Sequence, residues 1–179
     1  MPKFKDIPQL IVCGEWECNF GMESLVNKIE QMEREEGLQM NPDFQRGHVW
    51  TEEQQVLYIE AILQNGAKNA RTIYLNNPNW MRYHDREYTD FVCVDGLQRY
   101  TAIKRFIKNE IKAFGYYYDE YEDKSRLRTH CDLRLNVNEL ETRKEVLEWY
   151  LQINSGGTPH SNEEIERVKE LLSKEKENK

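Results

Sequence analysis

Two hydrophobic rhythms run along the chain, and the points where one gives way to the other mark its elements. Leu25, Val26, Ile29 and Met32 recur at helical spacing and predict a helix from about Met22 to Glu36, ended by Gly37. A second stripe, Val56, Leu57, Ile59, Ile62 and Leu63, predicts another with all five side chains inward. Thr51-Glu52-Glu53-Gln54 opens that helix as a capping box, and Asn65-Gly66 stops it. Short apolar runs and apolar alternation predict strands at Leu10 to Cys13, Thr72 to Leu75, Phe91 to Val94 and Asp132 to Val137, with Ile111 to Tyr118 strand-like as well.

Asn76 to Asp90 reads as a polar, aromatic hairpin connection, and Tyr116 to Asp123 as an exposed acidic loop. Tyr100, Ile103, Phe106 and Ile107 predict a third helix reaching about Asn109. Asn138-Glu139-Leu140-Glu141 reads as a second capping box, starting a helix with Val146, Leu147, Tyr150 and Leu151 inward. Ser161-Asn162-Glu163-Glu164 starts a last helix. With no repeat and no flexible linker, the expectation is one α+β domain over residues 1–172, a small mixed sheet with packed helices, then a charged tail over 173–179.

Composition narrows the class. At 179 residues, 39% hydrophobic and 32% charged, the chain is long enough and apolar enough to bury a core. No apolar run reaches bilayer length and no signal-peptide pattern opens the sequence, so a cytoplasmic location without membrane contact is expected. A net charge of -7 argues against a generally basic, DNA-coating surface. It leaves room for a local basic cleft built from Arg46, Arg71, Arg99, Lys104 and Arg105. Cys13, Cys18, Cys93 and Cys131 have no CxxC spacing and read as reduced, structural thiols, with Cys93 inside an apolar strand. The histidines have no ligand spacing.

Three irregular segments hold the unusual residues. Val94-Asp95-Gly96-Leu97-Gln98-Arg99 turns from a strand into a helix, where unpaired N–H groups and the helix dipole suit a phosphate. Asp95 can hold a metal there, or simply cap the helix while Arg99 faces water. Pro42 to Trp50 offers Gln45, Arg46 and His48, or a plain turn plugged by Trp50. Asn154-Ser155-Gly156-Gly157-Thr158-Pro159 is either an anion nest or a helix C-cap.

The order Pro-Asp-Phe-Gln-Arg-Gly-His-Val-Trp-Thr, then Ile59 to Gly66, Ile73-Tyr74-Leu75, Val94 to Ile103 and finally Ile153 to Ser161 resembles the ParB/sulfiredoxin-like domain of GmrSD-type, modification-dependent restriction proteins. The likeness runs from about Asp43 to Glu164. It implies a nucleotide- or DNA-acting domain whose Asp-Gly-Gln-Gln-Arg signature supports nucleoside triphosphate hydrolysis. Asp95, Gly96, Gln98 and Arg99 match that signature; Leu97 departs from it, standing where the family usually has glutamine. Gln45 and Arg46 are the corresponding first-loop positions. Larger relatives carry an HNH nuclease domain, and no His-Asn-His-like finger is found in this sequence.

The roles so implied put Asp95 on a Mg2+ ion and Arg46 and Arg99 on the transferred phosphoryl group, with Gln98 orienting water. Asn154, Ser155, Gly156 and Gly157 close over the nucleotide, beside Gln45 and Gly96. The leading expectation is a metal-dependent nucleoside triphosphatase linked to DNA sensing or restriction-type defence. Alternatives are a metal-dependent nuclease nicking DNA in the same cleft, and a non-catalytic nucleotide- or partner-binding module. A nucleoside triphosphate, DNA and a separate nuclease chain are the expected partners.

Overall fold

The computed structural model describes Ile11 and residues 16–45, 47, 49–81, 85–130, 132–154 and 162–177. Four strands, Trp16–Phe20 (β1), Thr72–Asn76 (β2), Val92–Asp95 (β3) and Leu133–Asn138 (β4), form one mixed sheet in the order β1-β4-β2-β3. β2 is parallel to β4 and antiparallel to β3, while β1 lies antiparallel on the outer side of β4. Among the described residues six α-helices complete the α+β architecture: α1 (Met22–Gln31), α2 (Glu52–Leu63), α3 (Leu97–Ile107), α4 (Lys124–His130), α5 (Arg143–Asn154) and α6 (Asn162–Glu177).

Each face of the sheet carries a core, the second one only beside β3 and β2, since Glu17, Asn19 and Arg134 are exposed. Ile73, Leu75, Cys93, Leu133, Leu135 and Val137 point into a core closed by α1, α2 and α3. Val92 and Val94 point the other way, into a second core with Phe44, Val146, Leu147, Trp149, Tyr150 and Val168. β3 is therefore buried on both sides, which is why it reads as a continuous apolar run. Each fully buried large side chain contributes about 1.5–3 kcal/mol, and Phe44, Phe106 and Trp149 are among the largest here.

β3 also carries an irregularity just ahead of the turn. Tyr74 pairs with Asp95 and Leu75 with Cys93, which leaves Val94 with no residue opposite. Bulges of this kind bend a strand and re-aim the side chains beyond it.

Several elements differ from the sequence expectations. The first helix is α-helical only to Gln31, then widens into a π-helical turn over Met32–Glu36 that ends at Gly37 with φ 75°. In α2 the capping box forms as expected, Gln54 N–H donating to Thr51 Oγ1 at 3.3 Å and Thr51 N–H to Gln54 Oε1 at 2.9 Å. Leu57, however, points outward at 64% exposure, and Tyr58 takes the inward place. The stripe follows the turn that buries Gln55, Tyr58, Ile59 and Ile62.

Ile111 to Tyr118 is not a strand. Phe114 and Gly115 adopt left-handed backbone (φ 50° and 84°), closing a tight turn between Ala113 and Tyr116. Tyr118–Glu120 then forms a 3₁₀ turn, so the buried Ile111, Ala113 and Tyr118 pack individually rather than as a ladder.

The second capping box is displaced. Asn138 belongs to β4, and Asn76 exchanges hydrogen bonds with the backbone of Leu140, fixing that segment to the sheet. The cap of α5 is made four residues later, by Thr142 and Glu145. β1 was not anticipated, whereas Leu10, Val12 and Cys13 of the expected first strand lie outside the described residues. α6 runs through Glu177, into the stretch expected to be a tail.

Candidate functional site

The site forms where the loop ahead of α2 meets the N-terminus of α3. β3 ends at Asp95, and Gly96 makes the corner at φ 124° and ψ 0°. A Cβ on Gly96 would lie 3.0 Å from Ile73 Cα, so the corner admits only glycine without displacing the β2 backbone. Gly96 is the N-cap of α3 and brings no side chain of its own to cap with, while the Leu97 N–H that follows lies within hydrogen-bond reach of the Cys93 thiol. The capping role open to Asp95 is therefore not used.

Asp95 instead pairs with Arg99 one turn further on, Oδ2 to Nη2 at 2.5 Å. Both side chains are largely enclosed, at 28% and 17% exposure. Burial alone would lower the Arg99 pKa; the Asp95 charge and hydrogen bond outweigh it and raise it above the usual value. The guanidinium thus stays charged, and its buried Nε has no partner among the described residues. A buried donor left in this state costs free energy unless something accepts from it.

The first loop is held over this corner from several directions. Phe44 is buried in the second core, its ring edge-on to Tyr150 at 5.2 Å. Gln45 donates from Nε2 to the carbonyl of Cys93 at 2.6 Å. Gln98 does the rest. Its Oε1 accepts from Val49 N–H at 2.9 Å and Trp50 N–H at 3.1 Å, and its Nε2 donates to Gly47 O at 2.7 Å. Gly47 takes a left-handed conformation at φ 75°, which lets the loop present those groups to one amide. Gln98 is accordingly a strut between loop and helix. The sequence suggested a water-orienting side chain, but both ends of this amide are engaged.

Leu97, standing where the family signature has an amide, packs partly buried against the first core. Cys93 sits beneath the corner; burial first, then the Asp95 charge, pushes its thiol up to about 12, against the opposing pull of the Gln45 amide. Tyr58 was missed by the sequence reasoning. It lies within electrostatic reach of Arg99 and Asp95, its hydroxyl donates to Ala70 O at 2.8 Å, and Trp50 stacks edge-on against it at 5.3 Å. Its only signal in the sequence was a tyrosine inside the apolar stripe of α2.

Three of the five cations named for a basic cleft, Arg71, Lys104 and Arg105, are engaged with other partners. Arg71 is buried against the C-terminal end of α2, donating to Gly66 O and Ile62 O. Arg105 is engaged by Glu52, Gln55 and Glu110, and Lys104 by Glu30. Lys104 and Arg105 follow the motif in sequence, but their places on α3 turn them toward Glu30 and toward Glu52 and Glu110. Arg46 and the Ser155, Gly156 and Gly157 nest lie outside the described residues, as does His48. Asn154 ends α5, its amide donating back to Tyr150 O at 2.7 Å.

Among the described residues no three His, Cys, Asp or Glu side chains are grouped to hold a metal. Mg2+ commonly takes one or two carboxylates together with phosphate oxygens and water. A single carboxylate, Asp95, fits an ion delivered with a triphosphate rather than one caged by protein alone. No helix among the described residues is long and apolar enough to cross a membrane.

An enclosed Asp95–Arg99 ion pair at the start of α3, covered by a loop strapped through one glutamine, is the core of this corner on its α+β scaffold. Residues 22–139 match the family described as the GmrSD restriction endonuclease, N-terminal domain. That span is more than half of the 179 residues, and the chain belongs to this family. The matched span includes the loop, β3 and α3; β1, α5 and α6 lie outside it. No curated protein and no solved structure matches the chain.

Proposed function

We propose that this chain binds a nucleoside triphosphate at the α3 corner and hydrolyses it in the service of restriction-type defence. One observation carries the reading: Arg99, charged and enclosed, keeps an Nε that has no partner among the described residues, and it does so in the first turn of α3. Both features favour an anion, and a guanidinium offers a phosphate two parallel donors. Asp95 fixes the guanidinium from one side and is the carboxylate for a Mg2+ ion carried in with the nucleotide, whose charge would offset that of the phosphates. Arg46, by its place in the loop sequence, is the second guanidinium of the proposal, and Asn154 to Gly157 the closing segment. Family membership supports the restriction setting. DNA cleavage itself is then assigned to a nuclease domain or chain acting with this one.

A second reading, binding without turnover, is favoured by a specific observation. Gln98 is spent on the loop and Leu97 on the core, so neither amide of the usual signature is available to orient water. Nicking of DNA in the same cleft has less support, because Arg71, Lys104 and Arg105 do not form a track for a phosphate backbone. Phosphate release measured with Mg2+ and each nucleoside triphosphate separates the readings. Release by the parent and its loss in Asp95→Asn supports hydrolysis. Binding with no release supports the module, and an Asp95→Asn protein as active as the parent ends the assignment.

A further inference from the structure

We infer that α6 fastens the nucleotide loop and that Arg167 is its positioning residue, acting on the site through Gln45. The inference rests on the proposed nucleotide site for its functional consequence, though not for the fastening itself. Residues 43–45 are tied to α5 and α6 three times over. Asp43 pairs with Arg143 at 2.7 Å, and the same guanidinium reaches Glu175 of α6 at 3.5 Å. Phe44 is buried in the core that holds Val168 of α6, with Leu171 and Leu172 packed against it. Arg167 Nη2 donates to the backbone carbonyl of Gln45 at 2.6 Å.

The next part of the same loop is tied to a different element. Gly47, Val49 and Trp50 are held by Gln98 of α3. Arg46 therefore stands in sequence between two fastenings, one to α6 and one to α3. Gln45 is itself pinned at both ends, its side chain on Cys93 O and its carbonyl under Arg167. Releasing the carbonyl leaves Gln45 held by its side chain on Cys93 O and by its own N–H on Pro42 O, a contact within the same loop. α6 lies outside the span matched by the family, so this fastening is supplied by a part of the chain that the family model does not describe.

Arg167 is exposed and Val168 beside it is buried, so the contact can be removed without opening the core. The test compares the full chain with Arg167→Ala, Arg167→Lys and Lys169→Ala. Lys169 pairs only with Glu166 on the same helix in the described contacts and serves as the surface control. Amide hydrogen exchange of the peptides spanning residues 43–50 is measured without nucleotide. Affinity for a Mg2+–nucleoside triphosphate is measured alongside.

Arg167→Ala is expected to speed loop exchange and weaken nucleotide affinity on the order of five- to tenfold, the scale of one solvent-exposed hydrogen bond. Arg167→Lys should recover part of both, Lys169→Ala should change neither, and the melting temperature should stay near that of the parent. Unchanged loop exchange in Arg167→Ala overturns the fastening. Faster exchange with unchanged affinity overturns its positioning role. Should the parent bind no triphosphate, the nucleotide reading and the positioning role fall together, while the exchange data alone still decide whether α6 holds the loop.

Discussion

Gly96 packs its bare α-carbon against Ile73: a Cβ there would meet Ile73 Cα and Cγ1 at 3.0 Å each. The corner that sets the direction of α3 thus depends on a close approach between backbone segments of β2 and the turn. Gly96 also sits at φ 124°, outside the range L-residues readily adopt. Gly96→Ala combines a steric conflict with backbone strain and is expected to cost about 2–4 kcal/mol. Urea denaturation checks this; a loss below about 1 kcal/mol would show that the corner relaxes freely.

Gln98 is expected to matter for the loop before it matters for any chemistry. Gln98→Ala removes three hydrogen bonds at once, at roughly 0.5–1.5 kcal/mol each before compensation by water. Gln98→Glu keeps acceptors for Val49 and Trp50 but sets a carboxylate oxygen against Gly47 O. Both variants should raise hydrogen exchange at the amides of Val49 and Trp50. Protection equal to the parent in both would remove the strut.

Breaking the Asp95–Arg99 pair leaves one enclosed charge unpaired. Full burial would make that cost about 3–5 kcal/mol, and the 28% and 17% exposure of the side chains reduces it to about 1–3 kcal/mol. Asp95→Ala and Arg99→Ala should each destabilise the fold, and the double variant should cost less than their sum. A double-mutant cycle by denaturation measures this, and strictly additive losses would mean that the pair is not energetically coupled.

The Cys93 thiol is completely buried, and its pKa is raised from 9.0 to about 12. In the unfolded chain the thiol ionises first, so its contribution to stability is intact below about pH 9 and declines as pH rises from there toward 12. Burial shifts Tyr58, Tyr88 and Tyr100 upward too, which works in the same direction at still higher pH. Iodoacetamide at pH 8, read by mass spectrometry, should label Cys18 well before Cys93 in the native protein. Equal labelling of the two would show that the corner opens readily.

The elements that were legible in the sequence are those whose signal is local. Thr51 and Gln54 announce the start of α2, Gly37 ends the first helix with a left-handed residue, and β2 and β3 contain the short apolar runs Ile73 to Leu75 and Val92 to Val94. Failures occurred where tertiary contacts override the pattern. Leu57 fits an apolar stripe, yet Tyr58 wins the inward position because its hydroxyl reaches Ala70 O from there. Asn138 looks like a cap until β4 claims it. For the site, Asp95, Gly96, Gln98 and Arg99 could be found from the turn and its chemistry. Their division of labour could not, since it depends on Gly47, Val49 and Trp50 arriving from about fifty residues away.

Calorimetric titration of Mg2+–nucleoside triphosphates into the parent and into Arg99→Ala, with circular dichroism confirming that both are folded, bears most directly on the α3 corner. The parent should bind the triphosphate more tightly than the matching nucleoside, and Arg99→Ala should lose at least about tenfold in triphosphate affinity while nucleoside binding stays put. A folded Arg99→Ala protein that binds the triphosphate as well as the parent does would contradict a phosphate site at Arg99.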